Sequence, residues 1–201
     1  MEIILSTGNA GKVAEINEVF AGTPIKVIPL TDAGIEGQAV EGVDSLEENS
    51  YLKAHYAWSR APGRWAMADD TGLFIDALNG EPGVVTADWA GEAVKGNALM
   101  EYAISRIKEI PEDKRTAYFE TVATVISPTG ETTIFKGRVS GRLIVEPRGT
   151  RVPALPFIPI FIPEGSDKTF GEMPIEDINA TSHRGKAFTQ VREFLLSKIQ
   201  I

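Results

Sequence analysis

Glu2-Ile3-Ile4-Leu5-Ser6-Thr7-Gly8-Asn9-Ala10-Gly11-Lys12 decides the fold class. Glu2 to Ser6 reads as a short buried strand around the apolar run Ile3-Ile4-Leu5, and Thr7 to Gly11 is turn chemistry. From Lys12 onward apolar residues fall at Val13, Ile16, Val19 and Phe20, the spacing of one helical face. The chain therefore opens strand–loop–helix. Working outward, Ile25 to Leu30 reads as a second strand, and residues 32–44 as a Gly-rich acidic loop. Ser45 with Glu48 makes a capping box for a helix running to about Arg60. Trp65 to Asp69 reads as a strand that ends in the turn Asp69-Asp70-Thr71-Gly72. A helix is expected from Asn97 to Lys108. Strands follow from Thr116 to Ile126 and from Glu131 to Val139, joined by Ser127-Pro128-Thr129-Gly130 as a hairpin. After a Pro-rich stretch the last helix runs from about Lys186 to Ile199. Helices alternating with strands around a central hairpin predict an α/β fold with a mixed sheet.

The chain has 201 residues, enough for one domain that buries roughly 70% of its unfolded surface without metal or disulfide. Hydrophobic residues make up 43% and charged ones 24%, which excludes fibrous and broadly disordered classes. Cysteine is absent, so thiolate metal sites, iron–sulfur clusters and cysteine nucleophiles are excluded. No apolar run reaches 18 residues and the N-terminus is too short and acidic for a signal peptide, which points to a cytoplasmic protein without membrane contact. The net charge of −8 argues against extended nucleic-acid binding but permits a small anionic substrate held locally.

Four constellations carry chemistry. Ser6 to Lys12 joins a strand to a helix N-terminus, where two glycines, free N–H groups and Lys12 could receive a phosphate; an ordinary βα turn with a surface lysine reads equally well. Asp69 and Asp70 are adjacent on a strand, so they point to opposite faces and have different roles; one could hold Mg²⁺, with Asp76 as a further acid nearby, or the pair could be a solvated turn. Asn49 and Lys53 share one face of the helix capped by Ser45, and Glu41 precedes it within reach of a metal; a solvated, well-capped helix is the plain alternative. His183 and Arg184 stand at the start of the last helix, an unfavourable place for positive charge unless an anion visits. His55, beside Tyr56 and Trp58, reads as packing.

Together these segments resemble the inosine triphosphate pyrophosphatase (Ham1-like) family, over essentially the whole chain. The resemblance also rests on Asn79-Gly80-Glu81-Pro82-Gly83-Val84 and Pro159-Ile160-Phe161-Ile162-Pro163-Glu164-Gly165. It implies an elongated single domain over residues 1–201, two lobes around a cleft, a long mixed β-sheet flanked by helices, and a homodimer. It further implies Mg²⁺-dependent cleavage of a nucleoside triphosphate to monophosphate and pyrophosphate. Residue by residue, Asp70, Asp69 and Lys53 would form the catalytic group, with Glu41 and Asp70 on Mg²⁺ and Asp70 helping to activate water. Thr7, Gly8, Asn9, Ala10, Gly11 and Lys12, with Lys53, would hold the triphosphate. Thr71 would flank the metal, and Phe157, His183 and Arg184 would stand near the base.

The base pocket departs from the family. Leu155-Pro156-Phe157-Ile158 stands where the family has Phe-Gly-Tyr/Trp-Asp, Ile178 where it has lysine, and Asp88 where it has arginine. Most of these changes replace a polar or flexible group with apolar bulk, while the phosphate and metal residues persist. The pocket has therefore been remade, by evolution or by engineering, for an apolar ligand or a protein surface, or else the phosphate chemistry continues with little base selectivity. Left unfilled, residues 151–162 would form an exposed apolar patch, the ligand-binding or assembly surface of a non-catalytic or engineered protein; a buried Pro-rich crossing is the alternative.

Overall fold

The computed structural model describes residues 1–42 and 45–199, so the end of the acidic loop, Val43 and Asp44, lies outside the described residues. Ile3, Ile4 and Leu5 of β1 (Glu2–Leu5) are wholly buried, as expected of a parallel strand covered on both faces, and each contributes about 1.5–3 kcal/mol by leaving water. β1 lies between β2 (Lys26–Pro29) and β3 (Trp65–Ile75), parallel to both. β3 then pairs antiparallel along nearly its whole length with β5 (Thr116–Ile126). β6 (Thr132–Leu143) and β7 (Phe161–Pro163) follow antiparallel, and the short β4 (Pro82–Gly83) adds to β3. The result, among the described residues, is one seven-stranded mixed sheet in the order β2-β1-β3-β5-β6-β7 with β4 beside β3. The α/β expectation holds.

Among the described residues five α-helices flank it: α1 (Ala10–Phe20), α2 (Leu46–Arg60), α3 (Asn97–Ile107), α4 (Ile175–Thr181) and α5 (His183–Ile199). α1 and α5 close an apolar cluster with β1, β3 and β5 built on Ile3, Leu5, Ile16, Phe188 and Leu195. A second, larger cluster joins α3 to the antiparallel strands through Ile75, Met100, Phe119 and Phe161. α2 covers the other face through Ala57 and Ala54, over Ala66 and Ala68.

Several boundaries differ from the sequence reading, each through a non-local partner. β3 does not stop at Asp69. Its ladder with β5 continues from Ala66↔Ile126 to Ile75↔Ala117, so Asp69-Asp70-Thr71-Gly72 is strand rather than turn. β6 reaches Leu143, four residues beyond expectation, because β7 pairs with its end. α5 starts at His183, with α4 directly before it; Gly185 allows this, since a Cβ there would lie 1.9 Å from Asn179 O. Of the expected capping box on α2, Ser45 Oγ accepts from Glu48 N at 3.0 Å.

The sheet leaves a gap where the acids sit. β1 ends at Leu5 opposite Met67, and β4 takes up the same edge of β3 only at Leu73. Between them the edge is met by loops. Ser6 N donates to Met67 O at 2.8 Å, and Leu73 N donates to Thr86 Oγ1 at 2.8 Å. The loop leading into α1 thus arrives beside Asp69, Asp70 and Thr71.

Candidate active site

Strand alternation sends the two acids to opposite sides, as the sequence implies. Asp69, wholly buried, turns toward α1 and α5: Lys12 Nζ lies 2.8 Å from its Oδ2, and Arg184 Nε lies 3.5 Å from the same oxygen. Arg184 is also paired with Glu15 of α1, and both are buried. Thr71 Oγ1 donates to Asp69 Oδ2 at 3.1 Å, while Asp69 Oδ1 is buried without a partner. Asp70 turns toward α2. Lys53 Nζ donates to its Oδ1 at 2.7 Å and Asn49 Nδ2 to its Oδ2 at 3.1 Å, so the i, i+4 pair of α2 converges on one carboxylate. Lys53 Nζ also reaches Glu41 Oε2 at 2.9 Å, and Asn49 holds Gly42 through both its N–H and its carbonyl, at 2.8 and 3.1 Å.

These charges set one another. Burial opposes ionisation of Asp69, but Lys12, Arg184 and Lys53 outweigh it and hold its carboxyl well below the usual carboxylate range. Burial likewise opposes the Lys53 ammonium, yet Asp70, Asp69 and Glu41 raise it above its ordinary value. Lys12 is lowered, chiefly by burial and only partly offset by Asp69.

His183 behaves otherwise. It is buried, its ring stacks on Phe119 with centroids 4.7 Å apart, and burial with the neighbouring Arg184 keeps its pKa well below 6.5, against the pull of Asp69. It is therefore neutral. At the start of α5, where positive charge would call for an anion, the His183 ring carries none, and Glu15 and Asp69 already answer Arg184. Because the folded value lies below the unfolded one, the unfolded chain takes up this proton first as pH falls. The stability linked to neutral His183 is complete above about pH 6.5 and declines below it, by at most about 1.4 kcal/mol per pH unit. His183→Phe should flatten that slope in urea melts between about pH 6.5 and 5; parallel profiles would contradict a neutral buried His183.

Asp70 and most of its neighbours open on a cavity of about 530 Å³, while Asp69 and Lys53 lie behind its lining residues. Its polar wall includes Asn9, Lys12, Glu41, Asn49, Asp70 and Arg184, and its apolar wall Leu99, Phe119, Phe157, Ile158, Phe170 and Ile178. Thr71 and His183 line it as well. Of the proposed phosphate loop, only Asn9 and Lys12 line the cavity. Thr7 Oγ1 accepts from Asn9 N at 3.2 Å, and Asn9 caps α1 by accepting from Lys12 N at 3.1 Å. Gly11 serves packing: a Cβ there would meet Leu155 Cγ at 2.8 Å and Ala154 Cβ at 3.0 Å. Asn9 Nδ2 donates to Ala154 O at 3.0 Å, tying residues 154–155 down onto the start of α1.

Residues 151–162 divide: Arg151 and Pro153 are exposed, residues 153–158 line the cavity, and most of the segment from Phe157 onward is buried. Phe157, Ile160, Phe161 and Ile162 are at most 6% exposed, and Phe157 and Ile160 join the larger core. Asp76 is also displaced from the site: it accepts from Thr116 Oγ1 at 2.6 Å on the surface. His55 is exposed and packs on the surface, its ring tilted against those of Tyr51 and Trp58 with centroids 5.6 Å from each. Asp88, where a cation was expected, pairs with Lys95 at the cavity. Glu15 was missed. Its signal lies in the sequence, for Gly11, Glu15 and Val19 fall four apart on the buried face of α1, where an acid needs a partner.

Comparison with known proteins gives concordant results. The model of the Ham1 family matches residues 3–194. The chain is 33% identical over 200 residues to a dITP/XTP pyrophosphatase of Thermoanaerobacter sp. (strain X514), covering 100% of this chain and 99% of that protein. It is 38% identical over 204 residues to a dITP/XTP pyrophosphatase of Lactobacillus acidophilus (strain ATCC 700396 / NCK56 / N2 / NCFM), covering 96% and 95%. Among solved structures, the Staphylococcus aureus Ham1 protein superposes with a TM-score of 0.82 at 30% identity, covering 98% of this chain and 100% of the other. A HAM1 protein from Coxiella burnetii gives 0.83 at 30% identity, covering 98% and 99%.

Proposed function

We propose, from the premise that the chain belongs to the Ham1 family, that it is a hydrolase cleaving non-canonical purine nucleoside triphosphates to monophosphate and pyrophosphate. The observation that carries this reading is the division of labour across β3. Asp69 faces two buried cations, Asp70 faces Lys53 and Asn49, and the groups on both sides reach one cavity.

The donor set fits Mg²⁺. One ammonium reaches both Glu41 and Asp70, so their oxygens lie close together, and Mg²⁺ takes one or two carboxylates with substrate phosphates rather than an all-protein cage. Bound there, the ion would supply Lewis-acid stabilisation of the phosphoryl group and acidify a water. The chain's own residues do the rest. Lys12 and Lys53 offset phosphate charge through charge-assisted contacts. Asp70 is the carboxylate that accepts a proton from the attacking water. Asp69 orients Lys12 and Arg184. Phe119, Phe157 and the neutral His183 flank the base.

The two separate apolar clusters support two lobes around the cavity. Family resemblance supports a homodimer, testable by light scattering. No helix among the described residues is long and apolar enough to cross a membrane, consistent with the proposed cytoplasmic location. The rival reading is a non-catalytic protein using residues 151–162 as a ligand-binding or assembly surface. It is weakened as an assembly surface because Phe157 and residues 160–162 are buried, while residues 153–158 line the cavity where a ligand would sit.

The apolar wall bears on selectivity. A site that hydrogen-bonds its substrate discriminates by about 10⁴–10⁵, an apolar one by about 10–200. With Ile158 and Ile178 in the wall, kcat/KM for inosine, xanthosine, adenosine and guanosine triphosphates should span no more than about 200-fold. Pyrophosphate release from all four at one Mg²⁺ concentration tests both activity and selectivity. A thousandfold preference for inosine or xanthosine triphosphate would show that base recognition survives elsewhere in the cavity.

A further inference from the structure

The Lys53 ammonium sits where the two proposed metal ligands meet. It lies 2.7 Å from Asp70 Oδ1 and 2.9 Å from Glu41 Oε2, and its side chain is only 12% exposed. A Mg²⁺-sized ion bonding both oxygens at about 2.0–2.1 Å would enter the same space. Two cations cannot share it, because they repel strongly at that separation and both need the same oxygens. Binding of the ion therefore requires Lys53 to leave.

The structure is built to survive that departure. Asn49 holds Asp70 through the other oxygen, Oδ2, at 3.1 Å, and fixes the loop carrying Glu41 by its two bonds to Gly42. Asp70 therefore does not depend on Lys53 alone for its place, and for Glu41, whose carboxylate meets Lys53, the backbone beside it is held through Gly42. Lys53 itself ends a flexible four-carbon stem and can swing toward an anion in the adjoining cavity. Once its carboxylates are taken by a metal, a buried ammonium needs a new counter-charge, and a polyphosphate supplies one.

We propose that Lys53 and the divalent cation compete for Glu41 and Asp70, so that metal and nucleotide bind cooperatively: the triphosphate receives the displaced ammonium, and metal alone binds weakly. This rests on the pyrophosphatase reading of the site. Because binding couplings are reciprocal, metal should tighten nucleotide binding by the same factor as nucleotide tightens metal.

The test is calorimetric titration of Mn²⁺ into the protein, with and without a non-hydrolysable α,β-imido analogue of inosine triphosphate. For the parent, the analogue should tighten Mn²⁺ binding at least tenfold. Lys53→Met should bind Mn²⁺ alone at least tenfold more tightly than the parent and show a smaller coupling to the analogue. Lys53→Gln, which keeps polarity without charge, should behave like Lys53→Met, and Mn²⁺ paramagnetic resonance gives a second readout of bound metal. Unchanged or weaker Mn²⁺ binding by both variants in the absence of the analogue overturns the competition. Asp70→Asn distinguishes the two levels of failure: if it leaves Mn²⁺ binding untouched, the metal is held elsewhere and the reading of the site itself falls.

Discussion

Asp70→Asn lowers the rate of pyrophosphate release at least about a hundredfold, the scale seen when a single electrostatic contact to a transition state is lost. The variant keeps the carboxylate's shape but removes its charge. It thereby weakens a metal ligand and deletes the group that accepts a proton from water, two losses that act on the transition state rather than on ground-state binding. The fold should be little affected, since the β3–β5 ladder on which Asp70 sits is made by backbone groups. Circular dichroism should match the parent while kcat collapses; the melting temperature should fall, because the substitution takes a counter-charge from the largely buried Lys53. Turnover at the parent's rate would remove Asp70 from the chemistry.

Glu15→Ala acts on stability. Glu15 and Arg184 are 6% and 4% exposed, and removing the acid leaves Arg184 facing only Asp69, already shared with Lys12. Breaking a buried ion pair from one side costs about 3–5 kcal/mol, because the remaining charge stays out of water without its partner. The denaturation midpoint in urea should fall accordingly. Replacing both members, as Glu15→Leu with Arg184→Met, should recover much of that loss, since no charge is then left buried. A cost below about 1 kcal/mol for Glu15→Ala would show that Arg184 is served well enough by Asp69.

What the sequence made legible was local periodicity. The opening strand–loop–helix follows from Ile3-Ile4-Leu5 and the spacing of Val13, Ile16, Val19 and Phe20. The convergence of Asn49 and Lys53 on Asp70 follows from one helical spacing and one strand alternation. What stayed hidden depends on partners distant in the chain. Asp69 and Asp70 look like a turn until β5, some fifty residues later, pairs alongside them. Gly11 looks like part of an anion cradle until Leu155 packs on it, and Gly137 looks unremarkable although a Cβ there would lie 2.0 Å from His183 O, the contact that seats the start of α5 on the sheet. The charge state of His183 is likewise invisible to sequence. It follows from burial beside Phe119 and Arg184.

The most direct measurement is product analysis of a single nucleotide. Inosine triphosphate with Mg²⁺ and the purified chain is followed by phosphorus magnetic resonance. Inosine monophosphate and pyrophosphate should appear in equal amounts, with no diphosphate intermediate, and at least about a hundredfold more slowly in Asp70→Asn. Accumulation of inosine diphosphate with orthophosphate, or product formation at the parent's rate in Asp70→Asn, would contradict a pyrophosphatase site built on Asp70.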